Sequence, residues 1–217
     1  MAEHVPVRKL VLVFLFAIAF GYVEASVVVY LRAIYYPDMF EFPLKMIRTD
    51  HLVVELVREA ATIVMLAAVG ILAGRKGWQR FAYFLIAFGV WDIFYYVWLK
   101  ATLDWPPALT AWDVLFLIPV PWIGPVISAT SVAALMTLCG VDLVIRTEHG
   151  TPFHPTLTTW VLALLATAAI LYSFVHDTDA TLRGSMPKPY RYELLLVGLA
   201  LYNVGYRTAC KEHGTHR

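Results

Sequence analysis

The sequence is short of what a water-soluble protein of its length uses to stay wetted. Charged residues are only 15% of its 217 residues, where a soluble domain carries roughly 25%. Its cysteines are two, Cys139 and Cys210, and they form neither a CxxC pair nor a zinc-like cluster. A disulfide framework and thiol-redox chemistry are therefore not indicated. Also missing are a Walker loop, a Rossmann glycine fingerprint and any basic run interleaved with aromatics. With a formal net charge of +1, nothing draws the chain toward nucleic acid. No fixed-period repeat and no long linker divides it, so residues 1–217 read as one domain.

What is abundant is apolar surface: 60% hydrophobic residues and a mean hydropathy of +0.67. A helix needs about 20 mostly apolar residues to cross a bilayer. Six stretches qualify, 9–31, 52–74, 79–99, 122–145, 157–175 and 191–207. The fold predicted is an all-α, polytopic integral membrane helical bundle of about six transmembrane helices. Between the third and fourth lies a Pro-rich segment, 104–125, holding Asp104, Asp113, Trp105, Trp112, Trp122 and five prolines. Its apolar part, Leu109 to Pro121, cannot be one unbroken helix past Pro119 and Pro121. It reads as a short helix, interfacial or re-entrant, packed against protein as a lid, a cavity wall or a rigid plug.

The N-terminus imitates a secretory signal, with Arg8 and Lys9 before an apolar run and Val23-Glu24-Ala25 as a cleavage-like site. The apolar run continues to Leu31, so an uncleaved first helix is expected. Orientation follows the short basic loop 75–80. Placing it in the cytoplasm gathers nine Lys and Arg there (Arg8, Lys9, Arg75, Lys76, Arg80, Arg146, Arg207, Lys211, Arg217) against seven opposite. That satisfies the positive-inside rule and places both termini of a multi-pass cell-membrane protein in the cytoplasm. Trp and Tyr near the span ends, such as Tyr35, Tyr36, Trp78, Trp98 and Tyr190, suit interfacial belts.

The informative feature is where the charges fall inside the spans. Because the chain alternates direction, Glu24, the set His51, Glu55, Arg58 and Glu59, the set Asp92, Tyr95, Tyr96 and Lys100, and the pair His176-Asp177 all lie at one membrane face. Spacings of four, three and one put the second set on one helix face, and Asp92 to Lys100 repeat the pattern. Each charge turned to lipid near the bilayer centre would cost roughly 2.5–3.5 kcal/mol, so both stripes should face the bundle interior or a wet cavity.

Glu24, Glu55, Glu59 and Asp92 outnumber Arg58, and like charges held close do not all ionise in a low-dielectric site. Protons, a cation, or Arg32 or Lys100 folding inward must relieve them. Three readings stay open: an ion-pair network around Arg58; a metal site from His51, Glu55, Glu59 and Asp92 with Glu24 or His176; and a protonatable or substrate-binding cavity. A divalent metal is the cofactor such ligands would admit, although neither HExxH nor a paired ExxH is present. As an enzyme, the chain would use Glu55, Glu59 and Asp92 as acid/base groups with Arg58 beside them. Haem ligation by His51 and His176 and a Schiff base at Lys100 are weaker options, and Ser26, Ser128, Ser131 and Ser173 have no His partner by spacing. The alternatives are a small transporter, or a non-catalytic subunit or assembly factor of a larger membrane complex. Beside the bilayer itself, a homo-oligomer is a partner to consider, with Ala67, Ala68, Gly70, Ala73 and Gly74 as a small-residue face.

Overall fold

A backbone in hydrocarbon must satisfy its own amides, and the long apolar runs accordingly close into helices. The computed structural model describes residues 4–36, 40, 42, 48–151 and 153–211. In chain order these form α1 (His4–Tyr35), α2 (Thr49–Ala73), α3 (Gly77–Leu103), β1 (Trp112–Phe116), β2 (Trp122–Pro125), α4 (Val126–Glu148), α5 (Leu157–Val175), the short α6 (Asp179–Leu182) and α7 (Tyr192–Cys210). Among the described residues, one small two-stranded sheet interrupts the helices. Five helices, α1 to α5, are long and apolar enough to cross a membrane. Helix α7 has 19 residues, long enough to cross but diluted by Asn203, Arg207 and several tyrosines.

The polarity is that of a membrane protein. Large aliphatic side chains stand outward, among them Leu12, Leu15, Val57, Val64, Leu72 and Leu164. Serine and threonine hydroxyls inside helices return to the carbonyl a turn back, as Thr137 does to Ala133 at 2.9 Å and Thr167 to Ala163 at 2.8 Å. Bonds of this kind hide a hydroxyl from lipid without a partner helix.

Helix α3 is the axis, packed by α1, α2 and α4 around Tyr83, Ile86, Val90, Leu66 and Leu143. Helices α5 and α7 form a second unit, antiparallel and matched end to end. Tyr190, just before α7, donates or accepts at Ser173 near the end of α5 (2.8 Å), and His154 N–H reaches the Ala209 carbonyl (3.0 Å) at the opposite end. The capping box of Thr156 and Thr159 starts α5, satisfying amides that the first turn leaves orphaned.

The structure corrects the reading of the Pro-rich segment. Leu109 to Pro121 is not a short helix. Strands β1 and β2 pair antiparallel, Asp113 opposite Gly124 and Val114 opposite Ile123, with a register irregularity between Val114 and Phe116. The aromatic and β-branched content of Trp112–Phe116 favours a pleated strand, and Pro119 and Pro121 confine themselves to the connection, where no ladder amide is needed. The fourth span consequently begins at Val126 rather than 122. The hairpin is packed on protein: Ile123, Gly124 and Pro125 are buried against α4 and α5.

Candidate functional site

Close helix approach builds the site. A Cβ at Gly21 of α1 would lie 3.0 Å from the Trp91 carbonyl and 3.2 Å from the Tyr95 amide of α3. Glycine there lets the helices touch, and one turn on, Glu24 is delivered beside the α3 stripe. Helix α2 brings Glu55, Arg58 and Glu59, and the β-hairpin closes over them. The result is a cavity of about 360 Å³ lined by Glu24, Arg32, Glu55, Arg58, Glu59, Asp92 and Asp113, with Tyr35, Trp91, Tyr95 and Tyr96 among its aromatic walls. It lies at the end of the bundle where α1 and α3 finish and α2 begins.

The charges divide into those with a partner and those without. Arg58 is shared: its Nε donates to Glu55 Oε2 at 2.8 Å, its Nη2 lies 2.7 Å from the same oxygen, and its Nη1 pairs with Glu24. Thr62 adds a long bond, 3.4 Å, to the second Glu24 oxygen. Arg32 pairs with Asp113 of β1 at 3.3 Å, and its guanidinium stacks between Trp105 (3.8 Å to the ring centroid) and Phe40 (4.1 Å). Stacking suits the planar, weakly hydrated guanidinium and is part of why an arginine tolerates burial here.

Two carboxylates have no cationic partner among the described residues. Glu59 accepts only the backbone N–H of Leu117, at 2.9 and 3.1 Å to its two oxygens, which ties α2 to the hairpin. Asp92 stands half-buried on the cavity wall in no ion pair. Five carboxylates therefore share one cavity with two guanidiniums. Lys100 does not relieve them: it turns away to Asp104 (2.6 Å) at the end of α3. That contact holds the exposed Asp104 carboxyl below its ordinary range.

Glu24, Glu55, Arg58, Glu59 and Asp92 are thus gathered, while both histidines stand apart. His51 meets the Tyr35 hydroxyl through Nδ1 at 2.6 Å and does not line the cavity. His176 is engaged at the end of α5 by the Ser173 carbonyl, 3.1 Å from Nδ1. Among the described residues no three His, Cys, Asp or Glu side chains come together in a way that could hold a metal ion. Asp177 has a local job, accepting the Lys188 amide at 2.6 Å. Four serines bond to nearby backbone carbonyls: Ser26 to Tyr22, Ser128 to Pro125, Ser131 to Ile127 and Ser173 to Ile170.

Reasoning from sequence placed Asp113 in a lid, not in the cluster, and treated Arg32 only as a residue able to fold inward. The signal was present: both lie at the same face as the stripes, and a buried arginine needs a carboxylate. Of the small-residue face of α2, Gly70 packs within the bundle, since a Cβ there would lie 2.8 Å from the Arg80 carbonyl and 2.9 Å from the Phe84 amide of α3, while Ala68 stands exposed. Compared with known proteins, the chain matches no family model, no curated protein and no solved structure.

Proposed function

We propose that this protein crosses the membrane six times, with both termini on the side of the 75–80 loop. The cavity at the opposite face then serves as a carboxylate site that holds protons or a bound cation. The observation carrying this is the mismatch of five acidic side chains to two arginines around one cavity. Leaving several charges unpaired in a low-dielectric site costs several kcal/mol each, so an ionised, empty cluster is the least stable arrangement. Glu59 and Asp92, the two without a cationic partner, are the groups assigned to carry the proton or face the cation. In an enzyme they would be the acid/base pair; in a carrier, the coupling groups. The dispersed histidines favour protons or an organic cation over a metal ion.

One observation favours a second reading, a purely structural network: Arg58 already ties Glu24 of α1 to Glu55 of α2. In that case the chain would be a non-catalytic subunit of a larger complex. Neutral substitutions separate the two. If the cavity holds excess negative charge, Glu59→Gln and Asp92→Asn should leave the thermal midpoint in detergent unchanged or raise it. Arg58→Leu, which strips the counter-charge from two carboxylates, should cost about 3–5 kcal/mol. Similar large losses for all three variants would establish a balanced network and defeat the site. Elemental analysis of the same preparations reports whether a metal accompanies any of them.

A further inference from the structure

A second cavity, unused by the proposed site, lies at the other end of the bundle. It occupies about 890 Å³ where α3 and α4 part from the α5–α7 unit. At the hairpin end, β2 fills the seam between these units; at this end it is crossed by Phe153, whose ring packs on Trp78 (4.9 Å) and Tyr206 (5.8 Å), and by the Tyr206 hydroxyl on Asp142, and both aromatic residues line the cavity. The walls are apolar, including Phe81, Leu85, Leu135, Met136 and Ala163. Its volume is in the upper range for a small-molecule pocket. A void this large, left empty, would forfeit dispersion contacts along its whole lining.

The rim differs in character from the walls. Lys76 stands at the mouth with Trp78 and Trp160, whose rings lie 6.4 Å apart. Arg75, Lys76 and Arg80 are exposed within this one short turn, and none forms an ion pair with a described residue. Asp142 nearby is already taken by Arg146 (2.6 Å) and by the Tyr206 hydroxyl (2.6 Å). Glu148, bonded by Gln79 at 2.6 Å, stands beside this turn against its three cations. An apolar cavity beneath a net positive rim, flanked by tryptophans of the kind that sit at membrane interfaces, matches an amphiphile with an acyl tail and an anionic head. A second copy of the chain fits less well, because a two-fold contact across this seam would set two identical positive rims face to face.

We propose that this cavity binds an anionic phospholipid, one acyl chain between Phe81, Leu135 and Ala163 and the phosphate at Lys76 and Arg75. The test is native mass spectrometry of the full-length protein in mild detergent. Dioleoylphosphatidylglycerol and dioleoylphosphatidylcholine are supplied in equal amounts. The wild type should retain one phosphatidylglycerol with about a tenfold preference, an energy difference that a pair of charge contacts readily provides. Lys76→Gln combined with Arg75→Gln should bring the two lipids to near-equal retention, and Ala163→Trp should abolish retention of both. The rim variant leaves the packing untouched, so it carries the test even if the tryptophan disturbs folding. Equal retention of the two lipids by the wild type, an unchanged preference in the rim variant, or a lipid-free dimer would each overturn the assignment.

Discussion

Burial and an arginine pull the Asp113 carboxyl in opposite directions, and burial prevails: its pKa is pushed up to about 6 despite Arg32 beside it. The consequence for stability has a definite sign. In the unfolded chain Asp113 releases its proton near pH 4, whereas the folded protein keeps it until about 6. Between those values the unfolded state binds fewer protons, so stability falls as pH rises through the window and levels off above it. The loss is on the order of 2–4 kcal/mol for a shift of this size. Asp113→Asn keeps an acceptor for Arg32 but cannot ionise. Its thermal midpoint, followed from pH 4 to 7, should fall less steeply than that of the wild type. Superimposable profiles would show that Asp113 does not titrate in this way. The same residue shows why single positions were only half legible in the sequence. Helical spacing tells which face a carboxylate occupies, as it did for Glu55, Arg58 and Glu59, but Asp113 sits on a strand whose existence the spacing did not reveal.

Elements were legible in proportion to their length. The five long apolar helices announced themselves because hydrocarbon leaves a spanning backbone no alternative. The hairpin did not, since a stretch as short as Trp112–Phe116, apolar but for Asp113, fits a buried strand or a helix fragment equally well. How closely helices approach is likewise hidden until the glycines are placed. A methyl at Gly21 would press on the backbone of α3 at Trp91 and Tyr95, neither of which yields readily. Gly21→Ala should therefore cost about 1–3 kcal/mol by overpacking. Gly77→Ala, where a Cβ meets nothing within 4 Å, should leave the midpoint unchanged or slightly raised. Equal behaviour of the two would mean that α1 and α3 are not in tight contact. Losing the cap of α5 is a separate matter of hydrogen bonds. Thr156→Ala leaves the Thr159 amide without its 3.3 Å acceptor, and about 1 kcal/mol of destabilisation, read by thermal or denaturant unfolding, is expected.

The two cavities lie at opposite ends of one bundle, and that opposition follows from the alternating helix directions. The acidic cavity is bounded by the ends of α1 and α3 and the start of α2, the apolar one by the start of α3 and the end of α7. If α7 crosses the bilayer as α5 does, the last residues of the chain return to the side of the 75–80 loop. If α7 lies flat, they stay with the hairpin. The geometry supports crossing: α7 is hydrogen-bonded to α5 or its flanking residues at both ends, at Tyr190 with Ser173 and at Ala209 with His154. Cysteine accessibility decides the matter directly in a background lacking Cys139 and Cys210. Single cysteines at Lys76, Ser185 and Lys211, all exposed, would be challenged with an impermeant maleimide on sealed cells and then on lysed ones. The expected pattern has Ser185 reacting from outside and both Lys76 and Lys211 reacting only after lysis. Ser185 and Lys211 reacting from the same side would reduce the crossings to five. It would also free α7 to lie along the interface and take the apolar cavity's wall with it. The acidic cavity would survive that outcome intact, because none of its walls comes from α7.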